Sequence, residues 1–413
     1  MEAVAQEKGF APDLGALDAA RRGEPAWLAA RRRGARERFE AEGFPSPRLE
    51  EWRYTSVGPI VETPWRAAER QASSPAIRVE GNPAGVRVLR LGEALAAAPA
   101  EVEGALGEIA GDSANAFAAL NFALTPDVAV VAIAPGAIVR EPIEIVHGAP
   151  PHDAAVSPRC LVLAGERSEA SVVERFAGDG TYFRNAVTEI ALADGAILAH
   201  HKLQREGPRA SHVQTIAVRQ GRGSRFHSDN LAFGGRLART DLTVVLAGEG
   251  AECRLDGLFV GGGSQHLDNH TTIDHATPHG ASRELYKGIL DGRARGVFHG
   301  KIVVRPHAQK TDAMQTNNNL LLSREALVNS TPALEIFADD VKCRHGSTIG
   351  QLDAAALFYL RSRGIGEAEA RAILTWAFAA DVAGRVRIPA LRAEIENVLG
   401  VRLAGAASEE ASP

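Results

Sequence analysis

The sequence contains few cysteines and few aromatic residues, and it lacks long apolar runs. Only three of its 413 residues are cysteines (Cys160, Cys253 and Cys343). This odd, widely spaced set excludes a disulfide framework and fits a reducing cytoplasm. No apolar run reaches the roughly 18 residues that a transmembrane helix needs, and residues 1–15 show no signal segment. We therefore expect a cytoplasmic protein that does not enter a membrane.

Motifs for nucleic-acid binding, nucleotide binding and hydrolysis are also missing. The net charge of −5 argues against a surface that binds phosphate backbones, so nucleic acid is not an expected partner. The segment from Gly296 to Ile302 is one residue short of a P-loop and lacks the hydroxyl residue after Lys301. No G-x-S-x-G elbow is present. We expect no catalytic residues, and any ATP hydrolysis must come from another subunit.

Hydrophobic periodicity divides the chain into three predicted domains. Residues 1–125 form an N-terminal helical domain, whose first helix ends near Gly43. Residues 126–350 contain short β-type runs separated by small turns, with no intervening helix. Residues 351–413 return to a helical period and form a C-terminal domain with a disordered tail after Ala404.

The central segment is too rich in short strands for a doubly wound α/β domain and leaves a sandwich, a barrel or a β-solenoid. The absence of a clean repeat counts against a solenoid. Two features favour it: the core positions are mostly small or branched aliphatics, and Asn317–Asn319 resembles polar turn groups that stack between coils. The residues alone leave these alternatives open.

Cys343 and His345 are the most informative pair of side chains. They stand two residues apart in a segment that reads as a strand entering a turn, so both project from one face. A thiol and an imidazole side by side can share a soft metal ion. Lys342 and Arg344 flank the thiol, and their field is expected to lower its pKa. The alternative is a buried cysteine beside a turn histidine.

Other candidate groups have structural interpretations. His266, His270, His275 and His279 invite a zinc site, but the segment is extended and the spacing of five turns His275 to the opposite face, so we favour hydrogen bonds between coils. Asp339 and Asp340 are interpreted as a turn or strand end. Cys160 and Cys253 lie in apolar strand contexts and are expected to be inert core residues.

The sequence segments around these groups resemble those of a known family. The most specific phrases are Phe337–Gly346, Phe358–Ile365, His266–His270 and Ser282–Gly288, with a second phrase at Pro47–Thr55. Together they resemble the SufB/SufD family of iron–sulfur cluster assembly scaffold proteins, and the segment from Asp339 to His345 is worded as in SufD rather than in SufB.

The resemblance implies a mainly β fold, a right-handed parallel β-helix core flanked by N-terminal and C-terminal helical domains. It implies a non-catalytic scaffold in complex with SufB, through the β-helix, and with the SufC ATPase, through the C-terminal helices. Cys343 and His345 would then help bind iron or a nascent iron–sulfur cluster at the SufB interface. Trp376 and Phe378, on different sides of one helix, are the candidate SufC-docking residues. Some members carry a reduced flavin in the assembled complex, and a homodimer is the alternative when the chain is alone.

Other functions remain open at this point. One alternative is a SufB-like paralogue that itself carries the cluster. A zinc-dependent enzyme would use the histidines from His266 to His279. A β-solenoid enzyme acting on polysaccharide would need a carboxylate cluster and aromatic sugar platforms, and the sequence offers only 5% aromatic residues.

Overall fold

From residue 159 onward, consecutive strands of the chain alternate between two sheets, so that each coil of the backbone adds one strand to each sheet. A computed structural model shows a parallel β-solenoid of about 8 turns with helices at both ends, which confirms the predicted parallel β-helix. It describes residues 21, 23–67, 74–80, 83–111 and 115–409, with side chains up to residue 402.

Both sheets are built almost entirely from parallel pairs. Sheet A contains β1 (Arg66–Ala67), β3 (Val86–Arg90), β4 (Ala129–Ile133), β6 (Ala154–Val156), β7 (Arg159–Ala164), β9 (Phe183–Leu192), β11 (Ser211–Gln220), β13 (Leu237–Leu246), β15 (His266–His275), β17 (Arg295–Val304) and β19 (Leu327–Ile336). Sheet B contains β2 (Ala76–Val79), β5 (Ile143–His147), β8 (Glu169–Gly178), β10 (Ile197–Glu206), β12 (Arg225–Ala232), β14 (Glu252–Gly261), β16 (Ala281–Leu290), β18 (Asp312–Leu321) and β20 (Lys342–Gly350).

Helices flank the solenoid at both ends of the chain. They are α1 (Ala26–Glu42), α2 (Gly58–Val61), α3 (Leu91–Ala97), α4 (Pro99–Ala105), α5 (Ala116–Leu124), α6 (Ala354–Ser362), α7 (Glu367–Ala383) and α8 (Pro389–Glu409), with a 3₁₀ turn at Glu50–Trp52. Gly43 ends α1 with φ of 68°, a backbone angle that suits glycine. Helix α8 continues through residues 405–409 of the predicted disordered tail, and residues 410–413 lie outside the described residues. Within the described part of the chain, every helix is too short or too polar to cross a membrane.

The two ends of the solenoid finish in different kinds of strand. At the N-terminal end, β2 and β3 pair antiparallel with β5 and β4, so the predicted helical segment 1–125 contributes strands to both sheets. At the other end, β19 and β20 are the last strands of their sheets. The limits of the three predicted domains stay a prediction.

The outer faces of the central coils are covered by helices. Leu161, Val187 and Ala217 on sheet A pack against helices α1, α4 and α5. Leu203 and Leu258 on sheet B pack against α7 and α8. Because central strands are buried on both faces, their sequences do not alternate cleanly between apolar and polar residues. The C-terminal helices share this apolar core with the solenoid instead of forming a segment apart from it.

Candidate metal and partner site

Cys343 and His345 lie on β20, the final strand of sheet B. Cys343 is opposite Ala313 and His345 is opposite Gln315 on β18. Ala313 and Gln315 are buried and face the interior of the solenoid, so the alternation of a strand points Cys343 and His345 over the open end of that interior. Cys343 is half-buried and His345 is exposed. The predicted shared face is therefore present, in a strand and not at a turn.

The Cys343 thiol has a pKa above its usual value, because burial disfavours the thiolate and Asp312 adds a negative charge. The expectation that Lys342 and Arg344 lower this pKa is wrong. Both basic side chains are exposed on the other face of the strand, where water screens their charge. A metal ion bound here must therefore displace the thiol proton.

Polar side chains line the interior directly below this pair. Gln315 Nε2 donates to Glu284 Oε2 at 2.7 Å, and burial raises the pKa of Glu284 to about 7. Ser330 Oγ donates to Asn317 Oδ1 at 2.7 Å and lies 2.8 Å from Ser347 Oγ. The open end of the solenoid interior therefore presents hydroxyl, amide and carboxyl groups in the coils below the thiol and the imidazole.

The asparagine run at 317–319 lies in the middle of β18, so its interpretation as a turn ladder is wrong. Asn317 and Asn319 are buried inside the solenoid, where Asn319 Nδ2 donates to Asn317 Oδ1 at 2.6 Å. Asn318 faces the other way and accepts a hydrogen bond from Thr348 Oγ1 at 2.8 Å. The run stacks between coils as expected, but through strand positions.

The last coil exposes apolar side chains as well as strand edges. Leu327, Ile336, Phe337 and Ile349 are 41–61% exposed. Among the described residues, β20 pairs with β18 and β19 with β17, which leaves the outer edge of each sheet unpaired. An unpaired edge with apolar neighbours is a template for adding further strands. We name this end of the solenoid, which carries Cys343 and His345, the candidate docking surface.

The histidines from 266 to 279 do not converge on one point. His266 lies 2.8 Å from Thr55 Oγ1 and His270 lies 3.0 Å from an Arg239 nitrogen, both on the outer side of sheet A. His275 is 2.9 Å from Ser282 Oγ in the interior, and His279 is exposed in a turn. The first three therefore serve as hydrogen-bond partners between elements. Asp339 and Asp340 lie in the bend before β20, where Asp340 pairs with Lys310.

Comparison with known proteins gives the family. Residues 147–378 match the SufBD core domain of the SUF system for FeS cluster assembly. The chain belongs to the SufBD family. It is 35% identical to an iron–sulfur cluster assembly SufBD family protein of Synechocystis, over 70% of this chain and 67% of the relative. It is 37% identical to the iron–sulfur cluster assembly protein SufD of Escherichia coli, over 59% and 58%, and 34% identical to the chloroplastic protein ABCI7 of Arabidopsis thaliana, over 69% and 62%. Each match therefore leaves a third or more of the relative's own length unmatched.

The SufBD core match includes Cys343, His345 and the whole docking surface, but it begins after the N-terminal phrase at Pro47–Thr55. The residues of this phrase attach the N-terminal segment to sheet A. The Arg239 guanidinium lies 3.7 Å from the Trp52 ring centroid, and Thr55 Oγ1 donates to Asp268 Oδ2 at 2.6 Å. Its residues are therefore structural anchors.

The predicted docking residues Trp376 and Phe378 are half-buried on α7. Both pack against the apolar cluster on the outer face of sheet B, and the Lys287 ammonium lies 4.5 Å from the Phe378 ring centroid. Among the described residues of the C-terminal helices, the exposed aromatic side chains are on α6 instead, with Phe358 74% and Tyr359 57% exposed. Both belong to the family-like phrase Phe358–Ile365, but the sequence alone assigns them no role.

Cys160 and Cys253 are buried and unpaired. Burial raises the pKa of both thiols well above the ordinary value, so neither is a ready thiolate. Of the three cysteines, only Cys343 lies on the candidate docking surface.

Proposed function

We propose that this chain is the SufD-type, non-catalytic scaffold subunit of an iron–sulfur cluster assembly complex. Its docking surface would join end to end with a SufB-type paralogue, and Cys343 and His345 would help hold iron or the nascent cluster at that joint. The observation that carries the proposal is the position of a thiol and an imidazole on the open edge of the last coil. Thiolate and imidazole are both ligands that iron accepts.

A chain of the same fold is the best candidate partner for this surface. Two unpaired edges, one in each sheet, require two strands from the partner. A paralogous solenoid end supplies both, and a second copy of this chain is the alternative when the paralogue is absent. The three cysteines are free thiols, which suits the reducing cytoplasm expected for such a complex.

The ATPase of the complex would dock on the C-terminal helices. Besides Trp376 and Phe378, the docking site would include the exposed aromatic residues of α6, because exposed aromatic side chains are the usual anchors of protein interfaces. Removing residues from Gly366 onward would be a poor test, since α7 and α8 cover apolar residues of sheet B. Phe358→Ala is the sharper variant, and we expect it to weaken ATPase binding more than Trp376→Ala does.

Co-expression tests the scaffold role. The chain is produced with SufB-type and SufC-type partners, the complex is isolated by size-exclusion chromatography, and its iron and sulfide are measured. Cys343→Ala should leave the complex intact and lower the cluster content, while Cys253→Ala, at a buried cysteine of the solenoid core, should not. Unchanged cluster content in Cys343→Ala would show that the thiol is not a ligand.

Two further possibilities, a SufB-type function and a bound flavin, each have a test of their own. A SufB-type function would require this chain to hold the cluster without its paralogue, which iron and sulfide analysis of the isolated chain would detect. The reduced flavin found in some members stays a prediction for the full complex, to be sought by absorption spectroscopy of that complex.

A further inference from the structure

The outer face of sheet B carries a histidine–aspartate cluster that the proposed function does not use. His227 and Asp229 lie two residues apart on β12, and Asp229 is aligned with His201 on β10 and Asp256 on β14. The side chains of Asp229 and Asp256 are 0% and 1% exposed, whereas that of His227 is 22% exposed. The cluster is thus a buried pair of carboxylates reached from solvent past one imidazole.

The spacing of its ligand atoms matches that around a small metal ion. His227 Nε2 lies 3.3 Å from Asp229 Oδ1 and 3.2 Å from Asp256 Oδ2, and all three atoms are within 4.8 Å of one another. Ligands about 2.0–2.1 Å from a tetrahedral zinc ion stand about 3.3–3.4 Å apart. Both distances to His227 thus match a zinc site, and one ion reaches all three atoms once the two carboxylates, no more than 4.8 Å apart, close on it.

The hydrogen bonds of the protein leave one of these atoms unused. Asp229 Oδ1 is buried and accepts no hydrogen bond, although it points toward His227. A single proton on Nε2 cannot serve both carboxylates well, because a hydrogen bond needs a nearly straight angle. The His227 imidazole is shared between this oxygen and Asp256 Oδ2, and a metal ion in place of its proton would satisfy both carboxylates.

Surrounding side chains fix the carboxylates in place. His201 Nδ1 lies 2.6 Å from Asp229 Oδ2, the arrangement in which an outer partner orients a metal ligand. Asp256 receives Arg254 Nε at 2.6 Å on Oδ2 and Arg385 Nη1 at 3.0 Å on Oδ1. These two hydrogen bonds fix the orientation of the Asp256 carboxylate and still leave a lone pair of Oδ2 for an ion.

We propose that His227, Asp229 and Asp256 bind a divalent transition-metal ion, with zinc the best fit to the donors, and that His201 positions Asp229. Strands β16 and β18 separate this site from Cys343 and His345 on β20. The site is therefore independent of the cluster ligands proposed above.

A second group of possible ligands, His147, Cys160 and Glu174, does not lead to a similar site. The Glu174 carboxylate already has four polar partners, namely His147, His200, Thr188 and Gln214. All three residues are buried inside the solenoid. Both oxygens of the Glu174 carboxylate accept hydrogen bonds, so neither is left for an ion.

Calorimetric titration of the metal-free full-length chain with Zn²⁺ tests the site. The chain carries Cys343→Ala and His345→Ala, which removes the proposed cluster ligands and separates the two hypotheses. We expect one saturable zinc per chain, and Co²⁺ in its place should show the absorption bands of a tetrahedral ion. His227→Gln should abolish this binding, whereas His279→Gln, at an exposed histidine, should retain it.

A positioning role for His201 predicts a different result. His201→Gln should keep the stoichiometry of one and weaken zinc affinity by about 10- to 100-fold, with circular dichroism confirming the fold of each variant. If His227→Gln does not fold, Asp256→Asn replaces it in the same titration. Absence of saturable zinc binding, or equal binding in the folded His227→Gln or Asp256→Asn variant, overturns the proposal.

Discussion

Glu284 makes the stability of the protein depend on pH in an unusual direction. This carboxyl is 4% exposed in the solenoid interior, and burial raises its pKa from 4.5 to about 7. Between those values the unfolded chain releases the proton and the folded chain retains it. Stability must therefore fall as the pH rises through this window and level off above about 7.

The size of the effect follows from the pKa difference. A change from 4.5 to about 7 corresponds to about 3 kcal/mol at about 1.4 kcal/mol per pKa unit. Between pH 5 and 8 most of it, about 2–3 kcal/mol, should be lost. Glu284→Gln removes the titration and still accepts the hydrogen bond from Gln315. The variant should gain about 2–3 kcal/mol relative to the wild type over that pH range.

Urea denaturation of both proteins at several pH values measures this gap, and taking the difference between them cancels the other titrating groups. Glu325→Gln, at an exposed carboxylate, serves as the control and should stay within about 0.5 kcal/mol of the wild type. A difference between Glu284→Gln and wild type that does not change with pH would refute a buried, protonated Glu284.

Three other predictions concern the site and its support. Cys343→Ala and His345→Ala should each lower cluster content about as far as the double variant does, because both serve one site; additive losses in iron and sulfide assays would indicate two sites. Arg239→Gln should destabilise the chain by about 3–5 kcal/mol in urea denaturation, since Asp268 loses its buried cation, and adding Asp268→Asn should restore most of the loss; no rescue would mean that the Trp52 contact dominates. The purified chain should give no saturable heat with ATP, because it lacks a P-loop, and saturation would contradict this.

The sequence predicted the fold where apolar residues alternate and failed where the interior is polar. Runs such as Ile143–His147 coincide with strand β5. Strand β12, with the sequence RFHSDNLA, was not predicted, because Ser228 and Asn230 face the interior and Leu231 packs outward against the C-terminal helices. A strand buried on both faces and facing a polar interior has no period-2 signal to detect.

The candidate site was predictable as a pair but not in its surroundings. Spacing alone places Cys343 and His345 on one face of a strand. Gln315 and Glu284 come near them only through the register between coils, which a single sequence without a clean repeat does not reveal. The thiol pKa was misjudged because sequence order shows which charges are nearby but not that burial outweighs them.

The unequal ends of the solenoid set a condition on how much of this protein a cell can hold. The N-terminal end finishes in antiparallel strands of 4 and 5 residues, while the last coil exposes strand edges of 10 and 9 residues with apolar side chains. Under the end-to-end joint proposed above, copies made in excess of their partner keep these long edges unpaired, and an unpaired edge is a template for adding other strands. Balanced synthesis of the two partners is then a requirement of the backbone itself, imposed before any cluster chemistry begins.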